Sequence, residues 1–194
     1  MNRKDITKLI TKTLIRDRLS DRKYYAREVS IDANTINIKR VDVMEFKPQG
    51  VICTSDIEKG IFICYEIKSC VEDVYSGNGL NFLGEQNYIV TTMDTYKKLQ
   101  EDMRERKLDN YIKEHYPESS LNYGVIVLVP ESTDLRTTEG KYAEYENPTP
   151  LDADVAWKTY TIYPCHDGHR KRSTTELLFC MLRSRHSYTN QDQD

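Results

Sequence analysis

Asp42 lies inside the apolar run VDVMEF, and Glu66 and Lys68 lie inside a second one, ICYEIKS. Residues two apart on a strand share a face, so Glu66 and Lys68 project together from an otherwise apolar segment. An acid and a base in such a place are expensive to bury unless they are paired or bound to a metal. If the two segments are neighbouring strands, Asp42 and Glu66 converge. Two carboxylates supply the hard oxygen ligands that suit Mg²⁺ or Mn²⁺. The Lys68 ammonium then stands where it orients or activates a water for attack on phosphorus, while the cation offers Lewis acidity and offsets charge developing on the phosphate. The same spacing also suits a solvated edge strand, with Asp42 as a surface partner of Lys39 or Arg40.

The surrounding pattern predicts the elements that would place these groups. Residues 4–19 put Ile6, Leu9, Ile10, Leu14 and Ile15 on one helical face. Residues 24–31 (YYAREVSI) read as a strand, and residues 36–46 alternate, with Ile36, Ile38, Arg40 and Asp42 on one side and Lys39, Val41 and Val43 on the other. Asp32-Ala33-Asn34-Thr35 between them is turn chemistry, so a hairpin is expected. A loop over 47–60 precedes a strand at 61–69 that is buried on at least part of both faces. Residues 70–84, with Gly77, Gly79 and Gly84, read as short and irregular or helical. A strand at 87–92, one or two helices over 93–116 and a strand at 123–130 follow. Residues 138–163 suggest strands around a Pro148/Pro150 loop, TYTIYP being the clearest. Residues 173–188 form a helix opened by a capping box of Ser173 and Glu176, and the polar tail 190–194 is expected to fray. Helix, three strands, short helix, strand, helix, strand is the order of an α/β protein with a mixed sheet flanked by helices.

A chain of 194 residues, 38% hydrophobic, supports one core rather than two equal domains. No run of 18 apolar residues is present, so no membrane-spanning helix is expected, and the N-terminal stretch interleaves charges where a secretory signal needs an unbroken apolar segment. Cys53, Cys64, Cys70, Cys165 and Cys180 are odd in number and lack a CxxC pair; Cys53, Cys64 and Cys180 sit among apolar neighbours and read as buried thiols of a reducing cytoplasm. Cys165-His166-Asp167-Gly168-His169 has no second ligand pair, which disfavours zinc. A net charge of −3 argues against holding DNA through a broad basic field, yet is compatible with an acidic cleft neutralised by metal. Local basic stretches, Lys39-Arg40 and His169-Arg170-Lys171-Arg172, could meet phosphates; Tyr24, Tyr25, Tyr75 and Tyr88 suit base stacking or, more simply, half-buried strand positions.

The stretch RVDVMEF…GIFICYEIKSCVEDVYSGNGLNFLGEQNYIVTT resembles the PD-(D/E)XK nuclease superfamily, and within it the MmcB-like DNA-repair nucleases and their phage or prophage relatives. The matching residues are Arg40 and Asp42, then Glu66, Lys68 and Ser69, then Glu72-Asp73-Val74, with Asn81-Phe82-Leu83-Gly84 and Glu85-Gln86-Asn87-Tyr88 leading a later strand. The likeness spans about residues 24–130; Val41 stands where many members have proline. The resemblance implies a restriction-endonuclease-like core of αβββαβ order over residues 1–130, with residues 131–194 as an extension packed on the same domain. It implies Mg²⁺- or Mn²⁺-dependent cleavage of DNA, with Asp42 and Glu66 as metal ligands, Lys68 as the catalytic lysine and Glu28 as a further upstream acid. Arg40, Ser69, Gln86, Arg170 and Lys171 are the candidate nucleic-acid contacts. A homodimer is neither required nor excluded. The alternative is the same fold without catalysis, binding nucleic acid or a protein partner.

Overall fold

Six segments rich in β-branched and aromatic residues become strands in the computed structural model, which describes residues 1–19, 24–50 and 53–186. The elements run α1 (Arg3–Arg18), β1 (Tyr24–Ile31), β2 (Lys39–Lys47), α2 (Thr54–Glu58), β3 (Ile61–Ile67), α3 (Val71–Val74), β4 (Gln86–Thr92), α4 (Met93–Arg104), α5 (Lys107–His115), β5 (Gly124–Pro130), α6 (Thr138–Glu146), β6 (Trp157–Tyr163) and α7 (Thr174–His186). They form one open mixed sheet in the spatial order β1-β2-β3-β4-β5-β6. The β1–β2, β2–β3 and β5–β6 pairs are antiparallel; β3–β4 and β4–β5 are parallel.

Apolar side chains on both faces explain why helices cover both. On one face Ile10, Leu14 and Leu19 of the N-terminal segment meet Val43, Ile63, Tyr65, Ile67, Val90 and Trp157. On the other, Leu177, Cys180 and Met181 of α7 meet Ala26, Val29, Met44, Phe62 and Cys64. Further along that layer, Leu99 of α4 and Leu108 and Ile112 of α5 close over Ile89, Phe82 and Leu80. The C-terminal third joins the same body: β6 completes the sheet on β5, and α7 returns to β1. No helix among the described residues is long and apolar enough to cross a membrane.

The expected hairpin forms, but β2 begins at Lys39 rather than at residue 36. The intervening residues are held as a turn. Asp32 and Asn34 adopt φ of 54° and 67°, the Thr35 hydroxyl donates to Asp32 O at 2.7 Å, and Asn37 N–H donates to the Thr35 hydroxyl at 3.1 Å. Arg172 anchors this turn by donating to both Asp32 oxygens at 3.1 and 2.7 Å, and to Glu118 at 2.9 Å. It also donates to Glu176 at 2.8 Å, so the Glu176 carboxylate turns to Arg172, while the other half of the expected capping box, Glu176 N–H on the Ser173 hydroxyl, is present at 3.2 Å.

Three further expectations need correction. The 47–60 loop contains a helical turn, α2. Residues 138–146 form helix α6 instead of a strand, with the Thr137 hydroxyl as its cap, accepting from Gly140 N–H at 3.1 Å. Cys53 is exposed at the start of α2, whereas Cys64 and Cys180 are buried. Residues 187–188 of the expected last helix and the 190–194 tail lie outside the described residues.

Leu14 is fully buried behind β2 and β3. Leu14→Ala should therefore cost about 2–5 kcal/mol, read as a lower urea midpoint with an unchanged slope.

Candidate active site

Strict alternation fails at one place in the first two strands, and it is the place where the acids sit. In β1 the core-facing residues are Ala26, Val29 and Ile31; in β2 they are Val41, Met44 and Phe46. Inward positions thus shift by one around Glu28 and Asp42, and Val41 and Val43 face different layers rather than one. Glu28 takes up the irregularity with a φ of 51°, uncommon for a residue with a Cβ.

The β2–β3 ladder runs from Lys47↔Ile61 to Val43↔Tyr65. One step further on, Asp42 accepts the Ile67 N–H at Oδ2, 2.7 Å away, so a carboxylate takes the place of a ladder carbonyl. Facing it across the opening, the Asn81 side-chain amide donates to Arg40 O at 2.9 Å. On its other side β3 stays bound to β4: Lys68 N–H donates to Val90 O at 2.9 Å and the Thr91 hydroxyl donates to Lys68 O at 2.6 Å. Strands β2 and β3 therefore part at the residues that carry the acids, while β3 is held firm from behind.

Glu66 is 0% exposed. Its Oε1 accepts Asn81 N–H at 3.0 Å, and its Oε2 is buried with no hydrogen-bond partner among the described residues. Lys68 is 3% exposed and donates through Nζ to Asn78 O at 2.5 Å. The 77–79 turn closes over both groups. A Cβ added at Gly79 would lie 2.5 Å from Lys68 Nζ and 2.8 Å from Glu66 Oε2, and the residue's φ is +83°. The positive φ and this crowding favour glycine, and the bare oxygen and the ammonium border the same small space.

Electrostatics follow from this burial. The Glu66 carboxyl is pushed well above the usual carboxylate range, first by desolvation and then by the Asp42 charge; Lys68 and the amides of Asn81 and Leu80 pull the other way. Asp42 is raised by desolvation, opposed by Ile67 N–H, Lys68 and Arg40. Glu28 is raised by desolvation, opposed mainly by Arg40, with Asp42 adding to the rise. The Asp42 charge thus raises Glu66, the Asp73 charge raises Asp42, and a cation beside these carboxylates would offset both effects. Among the described residues no three His, Cys, Asp or Glu side chains group as a metal cluster. The protein's share is a carboxylate pair with one bare buried oxygen, which fits Mg²⁺ or Mn²⁺, ions that commonly take one or two carboxylates and complete their shell with water and phosphate oxygens.

Asp42 and Lys68 open into a cleft of about 1060 Å³, lined also by Glu28, Arg40, Asp73 and Asn81. Glu28 lies at its side in an ion pair with Arg40 Nε at 2.8 Å, and Arg40 is 64% exposed at the mouth. Lys171 reaches the rim, donating to Pro117 O at 3.3 Å. Three expected contact residues are elsewhere. Ser69 turns away, its N–H and hydroxyl both donating to Asp73 Oδ2 at 2.9 Å. Gln86 is at the start of β4 beside Ile63, bonded to Asp167 at 2.5 Å. Arg170 is spent inside the fold on Glu85, Gly60 O and Thr174, over the Phe62 ring. The residues that sequence reasoning left without a role are Asn78, Gly79 and Asn81. The lone amide in the apolar run LNFL was the one available signal.

Two outcomes follow. Gly79→Ala should destabilise by about 1–3 kcal/mol through its positive φ and displace the Lys68 ammonium, seen as a lower melting temperature. The second concerns pH. Because the Glu66 pKa is raised, the folded chain keeps a proton that the unfolded chain releases, so this group weakens the metal-free fold as pH rises above the ordinary carboxylate value. Glu66→Gln in EDTA should then melt at or above the wild-type temperature near about pH 8, with the difference shrinking toward about pH 4. A variant equally destabilised at both pH values contradicts the burial assignment.

Comparison of the chain with family models, with curated proteins and with solved structures returned no match.

Proposed function

We propose that this protein is a Mg²⁺- or Mn²⁺-dependent nuclease that hydrolyses phosphodiester bonds of DNA, on a restriction-endonuclease-like core of the PD-(D/E)XK type. The observation that carries this reading is the bare, fully buried Glu66 Oε2 in the same space as the Lys68 ammonium, with the Asp42 charge on the adjoining strand acting on the Glu66 carboxyl. Leaving a buried carboxylate oxygen without a partner costs the full desolvation of that group. A cation ligand is a physical reason for a fold to keep it.

In this reading Asp42 and Glu66 bind the cation. When bound, that ion would act as a Lewis acid on the phosphate and make an attacking water more acidic. Lys68 donates hydrogen bonds to the water and to a non-bridging phosphate oxygen, holding nucleophile and phosphorus in line. Glu28, on the cleft wall, orients the water or supports a second ion. Arg40 and Lys171 at the rim meet the flanking backbone phosphates, which position a substrate without reading its sequence. A net charge of −3 makes binding depend on the cation more than on a basic surface. The five free cysteines accord with a reducing cytoplasm.

A second reading has an observation of its own. Glu66 and Lys68 are covered by the 77–79 turn, and Lys68 is held by the Asn78 carbonyl. A fold that never uncovers these groups would serve as a binding module for nucleic acid or protein.

Plasmid cleavage in Mn²⁺ separates the two. The nuclease reading expects cutting that stops with EDTA, falls about 100-fold or more in Lys68→Ala and is lost in Asp42→Ala. Equal cutting by wild type and Lys68→Ala removes the mechanism. Calorimetry that finds no Mn²⁺ binding, together with no cutting, leaves the binding module.

A further inference from the structure

Asn81 touches both sides of the opening between β2 and β3. It is 5% exposed. Its backbone N–H donates to Glu66 Oε1 at 3.0 Å, and its side-chain Nδ2 donates to Arg40 O at 2.9 Å, two residues from Asp42 on the same strand. One residue therefore holds the Glu66 carboxylate directly and, through the backbone, the strand that carries Asp42. Asp42 makes a second bridge across the same opening, accepting from Ile67 N–H.

Asn81 is in turn fixed from outside. The Ser119 hydroxyl donates to Leu80 O at 2.7 Å and accepts Phe82 N–H at 3.1 Å, and Ser120 N–H donates to Phe82 O at 2.9 Å. The neighbours Leu80 and Phe82 are buried against Ile89, Leu99 and Ile112. Segment 80–82 is thus tied down on both sides of Asn81, and a buried amide that donates across the opening specifies geometry. On the β2 side the segment presents a donor and not an acceptor, which is what the Arg40 carbonyl needs where the β3 ladder has ended.

We propose that Asn81 is a positioning residue for the carboxylate pair: its amide sets how far β2 and β3 part, and so the placement of Asp42 relative to Glu66. The proposal rests on the reading of these two acids as cation ligands. Residues that orient metal ligands typically cost about 10–100-fold in metal affinity when removed.

The test uses Asn81→Ala, which deletes the donor, and Asn81→Asp, which keeps the shape but replaces the donor by an acceptor. Two quantities are read on folded protein: amide hydrogen exchange of Ile67 without metal, and Mn²⁺ affinity by calorimetry. In both variants, Ile67 protection should fall about tenfold or more and Mn²⁺ affinity about 10–100-fold, with protection in β4 and β5 unchanged. Retention of Ile67 protection and of Mn²⁺ affinity within about twofold in both variants overturns the proposal. If neither variant folds, the wild-type Asn81 side-chain amide protons decide by NMR. Slow exchange supports the bond to Arg40 O, and exchange as fast as at the exposed Asn34 overturns it. Wild type that binds no Mn²⁺ while Ile67 still responds to Asn81 removes the cation reading and keeps Asn81 as the residue that positions the acids.

Discussion

A carboxylate oxygen buried without a partner governs this structure. Glu66 sits on a strand that must lie in the middle of the sheet, because its neighbours Phe62, Ile63, Cys64 and Tyr65 fill both faces. Its side chain then enters a space with the Asn81 amide on one oxygen, an ammonium nearby, and no hydrogen-bond partner among the described residues on the other oxygen. Desolvation is the first cause that raises the Glu66 carboxyl, and Asp42 is raised by burial of its own.

The rest of the fold can be understood as what is needed to keep that arrangement in place. Helix α1 backs β3 from one face, and β4 holds the Lys68 backbone from the side. The open edge is harder to secure, since β2 must leave β3 without losing its own hydrogen bonds. Asp42 and Asn81 satisfy the two backbone groups that the parting exposes, and the positive φ of Glu28 absorbs the change of face in β1. Further out, Arg172 pins the hairpin turn and Glu118 together, while Lys39 donates to the same Glu118 at 2.6 Å. A half-buried network of this kind holds shape better than separate surface pairs would.

On the proposed reading, an acidic protein must offer its cleft to an anionic substrate without a broad basic surface. The cations nearest the mouth are already engaged, Arg40 by Glu28 and Lys39 by Glu118. Attraction for phosphate would then come first from Lys68 and a bound cation, with Arg40 and Lys171 adding contacts only at the rim. Such a site would suit chemistry at one phosphate, unlike a broad basic surface that grips a long stretch of backbone.

Much of this was legible in the chain alone. The apolar runs around Asp42 and Glu66 specified buried strands, the period of two put Glu66 and Lys68 on one face, and the mixed α/β sheet followed from the order of elements. Local chemistry was also sufficient for the hairpin and for α7. What needed the tertiary structure were features that no periodicity encodes. The change of face at Glu28 and Asp42 breaks the alternation from which direction was read. Helix α6 starts at a Thr137 cap within a weakly patterned stretch. Gly79 is favoured by side chains that approach from β3, and Asn81 matters because it meets a carbonyl 41 residues away in sequence. That Arg170 and Gln86 find partners within the protein was hidden for the complementary reason. A charge or an amide in sequence says only that a partner is required, and the packing of distant segments decides whether that partner is a substrate or the protein itself.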